Sequence, residues 1–150
     1  MKTVLLVDGE NLKGKMKFVL RNKDERILWH EYDFRGLLQK VLAGIFVDRS
    51  VFYFAHVKEH PESKEKSKLL IEEQRLLKTH LEKQGFEVVM AGSVRGQMTD
   101  DPKGKKVLVF REKGVDVRIA VDMVTLACDG KAGTIILASS DSDLQPAIKE

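Results

Sequence analysis

A single cysteine, Cys128, means that no internal disulfide can form, and a reducing compartment is expected. Cys128 falls within an apolar helical pattern and reads as a small core residue rather than a nucleophile. No apolar run approaches the roughly 20 residues that a membrane-spanning helix needs. Met1-Lys2-Thr3 passes at once into Val4-Leu5-Leu6-Val7 and then an aspartate, too short and too soon acidic for a signal peptide. A cytoplasmic location with no membrane partner is the expectation. His30, His56, His60 and His80 have no cysteine partners and no His-Glu-x-x-His spacing, so the zinc motifs drop out. There is no P-loop, no Gly-x-Ser-x-Gly elbow and no serine or cysteine nucleophile set, which removes P-loop and acyl-transfer chemistry.

What remains is a chain of 150 residues, the length of one ordinary domain, 43% hydrophobic and 33% charged. That balance suits a folded globular protein. The net charge of +3 says little by itself, but its distribution says more. Lysines and arginines crowd Lys13 to Arg26 and Arg95 to Lys113, while acidic residues sit singly at the ends of apolar strands. Basic flanks around an acidic centre suit a polyanion held over a metal site. Solvated helix and loop faces are the plainer reading of any one lysine.

Val4 to Val7 is a continuous apolar run that stops at Asp8-Gly9, the pattern of a buried strand. A helix is expected over Asn11 to Leu20, and another after the capping residue Asp33. Ser50 to Ala55 reads as a second strand, and Pro61 to Gln84 as a helix with Leu69, Leu70, Leu76, Leu77 and Leu81 on one stripe and Gly85 ending it. Phe86 to Ala91 is a third strand. Gly92 to Lys106, polar and rich in turn residues, reads as an exposed loop before a short strand at Val107 to Phe110. Val115 to Cys128 is helical, with Val117, Ile119, Ala120, Met123, Val124 and Ala127 apolar. Thr134 to Ala138 is the last strand, and Asp141 to Lys149 begins a helix. Strands alternating with helices imply βαβ units and a mainly parallel sheet. A single domain over residues 1–150 is expected. The helical pattern is still running at Glu150, where such a sheet usually has one more strand, so a stub helix and a missing C-terminal part both stay open.

In parallel sheets, ligands bind outside the carboxyl ends of the strands. Asp8 follows the first strand directly, and Asp141 and Asp143 follow the last. Asp116 opens the helix before that last strand. If the first and last strands are neighbours, these carboxylates meet at one edge, and such crowding is tolerable only with a cation among them. Mg²⁺, a hard ion bound by few carboxylates and several waters, is the natural choice. Each residue also has a structural reading: Asp8 as a turn, Asp116, Asp141 and Asp143 as helix caps or dipole complements. Asp122, six positions past Asp116, lies well off its face at ~100° per residue and is structural or supporting.

Three motifs in order, Val7-Asp8-Gly9-Glu10-Asn11-Leu12, then Lys113-Gly114-Val115-Asp116-Val117 with Ala120-Val121-Asp122-Met123, then Ser139-Ser140-Asp141-Ser142-Asp143-Leu144-Gln145-Pro146, resemble the NYN domain family. The likeness is to its LabA-like branch in particular, within the PIN-like nuclease superfamily. The resemblance implies a three-layer α/β/α fold with clustered acidic residues binding one or two divalent ions, Mg²⁺ or Mn²⁺. It implies phosphodiester hydrolysis, most often of RNA, with single-stranded RNA as the expected partner. Asp8, Asp116, Asp141 and Asp143 would be catalytic metal ligands. Asn11 and Ser140 would orient the site or touch phosphate, with Ser139 shaping the turn and Asp122 behind. The central acidic position of PIN-like enzymes has no clear match, leaving Asp33 and Glu72 as candidates. Lys113, Arg111, Arg95 and Lys13 are candidates for the phosphate backbone, and Tyr53 and Trp29 for base stacking, although core packing suits Tyr53 better. Two rival classes stay open: an inactive module of the same fold that binds RNA or protein, and a phosphohydrolase of small esters, for which Asp8-Gly9-Glu10 is half of an Asp-x-Asp motif. Oligomeric state, a homodimer included, is not encoded legibly.

Overall fold

The computed structural model describes residues 1–20 and 26–150; Arg21 and Lys23 of the first basic cluster lie outside the described residues. Val4 to Val7 form β1 (Thr3–Asp8), apolar on both faces because helices cover both. Then come α1 (Gly9–Val19), α2 (Phe34–Val41), β2 (Arg49–Val57), α3 (Lys64–Lys83), β3 (Glu87–Asp100), β4 (Lys106–Lys113), α4 (Val115–Cys128), β5 (Thr134–Ala138) and α5 (Gln145–Lys149). The sheet order is β4-β3-β2-β1-β5. Every pairing is parallel except that of β3 with β4.

Side chains alternate across a strand, so β1 feeds two cores. Val4 and Leu6 pack with Val51, Tyr53, Ile119, Met123 and Leu126 beneath α4. Leu5 and Val7 pack with Phe34, Leu38, Phe52, Leu77 and Leu81 beneath α1, α2 and α3. This is the expected three-layer α/β/α arrangement of a PIN-like fold. Leu6, Leu81, Ile119 and Leu144 are wholly buried, each contributing about 1.5–3 kcal/mol by transfer from water.

The capping reading of Asp33 is borne out: its carboxylate accepts from the Gly36 amide at 2.8 Å. Gly85, at φ +91°, follows α3, in the left-handed conformation that glycine allows. Three expectations need correction. Gly92 to Lys106 is a loop only over residues 101–105, because β3 runs on to Asp100 and pairs with β4 through Asp100↔Lys106. Backbone ladders need no apolar side chains, so a polar stretch can extend a strand. Cys128 is exposed, at the last turn of α4 where the helix leaves the sheet. Leu69 and Val117, assigned to apolar stripes, are also exposed; α4 buries Val115, Ile119, Met123 and Leu126 instead. Among the described residues, no helix is long and apolar enough to cross a membrane.

Candidate active site

The sheet order makes β1 and β5 neighbours, with Val7 level with Ala138. The loops that follow them therefore emerge side by side, at the carboxyl edge where ligands bind. Asp8 caps α1, its Oδ1 accepting from the Asn11 amide at 3.2 Å. Gly9 follows because a Cβ there would overlap the Phe54 ring, so glycine lets the helix start straight off the strand. Ser139 donates its hydroxyl to Asp8 Oδ2 at 3.4 Å and accepts from the Asp141 amide at 3.1 Å. Asn11 Oδ1 accepts from the Ser140 amide at 3.1 Å, and Asn11 Nδ2 donates to Ser140 Oγ at 3.2 Å. These bonds stitch the first-strand loop to the last-strand loop.

Asp8 is only 7% exposed. Burial raises its carboxyl above the ordinary range; the Asn11 amide and Ser139 hydroxyl pull it back, and the Asp141 and Glu10 charges raise it further. Each disfavours or favours the ion for the ordinary reasons of desolvation, hydrogen bonding and like charge. Asp141 Oδ1 accepts from the Asp143 amide at 3.0 Å, turning the chain into the short 3-10 segment Ser142–Leu144.

A fourth acidic residue joins the pocket without having been singled out from the sequence. Glu112, near the end of β4, is pushed up to about 7, first by burial and then by the Glu10 and Asp8 charges, against the Ala55 backbone and Lys13. One signal was available: at a period of two, Glu112 shares a strand face with Leu108 and Phe110, an inward-facing position for a carboxylate. Asp33 and Glu72, the candidates for a central acidic position, are engaged elsewhere. Asp33 caps α2, and Glu72 pairs on the surface with Arg75.

Asp116 lies half-buried in the first turn of α4. Gly114, which precedes that helix, packs against Gly92 of β3, where a Cβ would overlap the Lys113 carbonyl oxygen. Asp116 and exposed Asp143 are not among the charges that raise Asp8. Asp122 stands further down α4, accepting from Tyr53 Oη at 2.9 Å and Arg118 Nε at 2.9 Å. Tyr53 is thus core, 2% exposed, and burial followed by the bond to Asp122 raises its phenol. Trp29 packs against Tyr32 and Phe34, its ring centre 6.1 Å from each. Lys13 is held by Glu10 at 2.8 Å. Arg95, Arg111 and Lys113 are exposed on β3 and β4.

Among the described residues, no three Asp, Glu, His or Cys side chains form a ready-made metal cage. Mg²⁺ is commonly held through one or two carboxylates, the remaining positions being water. The buried Asp8, within electrostatic reach of the Asp141 and Glu10 carboxylates, offers hard oxygen ligands that suit such an ion better than zinc.

A mainly parallel three-layer sheet with an acidic pocket beside its first strand defines a PIN-like domain. The chain belongs to the NYN domain family, whose model matches residues 2–150. Domains of this family are PIN-like and of the nuclease type. Neither a curated protein nor a solved structure matches the chain.

Proposed function

We propose that the domain is a divalent-metal-dependent ribonuclease of the LabA-like branch, cutting single-stranded RNA with Mg²⁺ or Mn²⁺. The observation that carries the reading is the buried Asp8 carboxylate, coupled to Asp141 and bonded to Ser139 at the joint between β1 and β5. Asp8 and Asp141 would hold the ion, with Asp116 and Asp143 completing its surroundings. When bound, the ion supplies a water of lowered pKa and neutralises charge on a phosphoryl oxygen. The chain's own groups position: Ser139 orients Asp8, and Asn11 and Ser140 keep the two loops in register. Tyr53 and Arg118 hold Asp122 and with it α4. Lys113, at the end of β4, faces solvent where a phosphate arrives.

The test is cleavage of single-stranded RNA with Mg²⁺ or Mn²⁺ by the wild type and by Asp8→Asn, with EDTA as control. Asparagine still caps the helix, so the fold should survive. Cleavage should fall by about 10³-fold or more, equivalent to ~4 kcal/mol in the barrier. A variant cutting at the full rate would overturn the reading. The absence of a ready-made cage among the described residues favours one rival, an inactive module that binds RNA or protein. That rival requires RNA binding with no turnover under any divalent ion, and no change in binding for Asp116→Asn.

A further inference from the structure

Beyond the pair Val57↔Val94, β3 loses its β2 neighbour and continues with β4 alone. Residues Arg95–Asp100 and Lys106–Arg111 thus form a two-stranded ribbon that projects about 20 Å past the sheet, at ~3.4 Å per residue. Its tip is closed by Asp101, whose Oδ1 accepts from the Lys103 and Lys105 amides at 2.9 and 2.8 Å.

The two faces of the ribbon differ. Gly96, Phe110, Met98 and Leu108 share one face by register. At its base that face is braced: the His60 ring stands perpendicular to Phe110 at 6.1 Å, and a Cβ on Gly96 would come within 2.9 Å of that imidazole. Lys66 Nζ lies 5.2 Å from the Phe110 ring centre. The other face carries Lys113 opposite Ser93, then Arg95 directly opposite Arg111, then Gln97 opposite Val109. Arg95, Arg111 and Lys113 are all exposed. Among the described residues none of the three has a carboxylate partner.

Like charges directly opposite one another on a ribbon are destabilising. A cross-strand arginine pair with no internal counterion is an unfavourable arrangement that an external polyanion would relieve. Residues 93–113 hold six lysines and arginines against three carboxylates, and Asp101 is spent on the turn. We infer that the ribbon is an arm that grips the phosphate backbone of a single-stranded nucleic acid outside the acidic pocket, on the face of β4 opposite Glu112. The inference rests on the ribonuclease reading for the identity of the strand, and it adds that substrates must be long enough to reach the arm. Side-chain contacts to phosphate hold and orient a strand without reading its sequence.

The experiment separates this from a merely structural role. Arg95→Glu creates a favourable cross-strand pair with Arg111, so its melting temperature should equal or exceed that of the wild type. Binding is measured in EDTA with a fluorescent 20-nucleotide oligouridylate and a tetranucleotide. For the 20-mer, Arg95→Glu should lose about tenfold or more in affinity. Arg95→Gln/Arg111→Gln should lower the slope of log K against log salt by about 1.4, two phosphate contacts at ~0.7 each. The wild type should prefer the 20-mer to the tetramer, and the variants should lose most of that preference. Unchanged affinity in both variants overturns the arm, as does equal wild-type affinity for polyglutamate or for duplex RNA of matched charge. If the wild type binds through the ribbon but cuts nothing with Mg²⁺ or Mn²⁺, the nuclease reading falls while the arm stands. If it cuts and the variants bind as the wild type, the arm falls and the nuclease reading stands.

Discussion

Two regions at the carboxyl edge of the sheet handle charge in opposite ways. Beside β1 and β5, negative charge is buried, hydrogen-bonded and crowded: Asp8 is bonded to Ser139 and Asn11, and its carboxyl is raised first by burial and then by Asp141 and Glu10. On the ribbon of β3 and β4, positive charge is exposed and directly opposed, as Arg95 against Arg111. The pocket keeps its ions close at the expense of mutual repulsion, while the ribbon sets its cations in water, where repulsion is reduced but not abolished. Neither region is electrostatically complete alone. On the proposed reading, a phosphodiester chain held over a divalent ion would answer both charges.

The joint between the two regions is the place to break the comparison. Gly92, at φ +69°, packs against Lys113 and Gly114 where the ribbon turns into α4. Gly92→Ala forces a side chain into left-handed backbone and onto the Lys113 carbonyl, and should cost about 2–4 kcal/mol. Urea unfolding measures it; a loss under ~0.5 kcal/mol would mean that ribbon and pocket are not rigidly coupled. The next effect belongs to Glu112. Its folded value of about 7 lies above its ordinary 4.5, so the folded state binds the proton more tightly than the unfolded chain. The associated stability is fully present below the ordinary value and is lost as pH rises to about 7, on the order of 1–3 kcal/mol. Comparing denaturation at pH 5 and pH 7.5 in metal-free buffer should show that fall in the wild type and a flatter profile in Glu112→Gln. Identical profiles would remove Glu112 from the acidic pocket. The smallest effect is expected from Asn11→Ala, which cuts exposed bonds to Ser140 at about 0.5–1.5 kcal/mol. Its sharper readout is weaker retention of Mn²⁺ by the folded protein, because the loops bearing Asp8 and Asp141 come unstitched.

Elements with a strong period were legible from the residues. Val115–Cys128 and Thr134–Ala138 begin and end where the apolar pattern says. The adjacency of β1 and β5, on which the pocket depends, was only a condition of the sequence argument, and the sheet order meets it. The ribbon was not legible: Gly92, Gly96, Gln97 and the Asp-Pro turn look like a loop, and its ladder is made by backbone groups that composition does not report. Glu112 was missed for the same reason, since it sits at the base of that ribbon, opposite Val94, rather than after an apolar run. The exposure of Cys128 and Val117 shows a different limit. Periodicity identifies a helix well, but the residue at a helix end and the width of the buried stripe depend on what packs beside it.

The stitch between Asn11 and Ser140 joins residues 129 apart. During synthesis, β1 emerges early and β2 reaches it first, yet its other edge waits for β5, almost a whole chain later. Until then Asp8 has no Ser139 to accept from, and the two loops have no common frame. Contacts of such long range form late. The joint that holds Asp8 is therefore completed only when β5 pairs with β1, later than the parts of the fold built from local contacts.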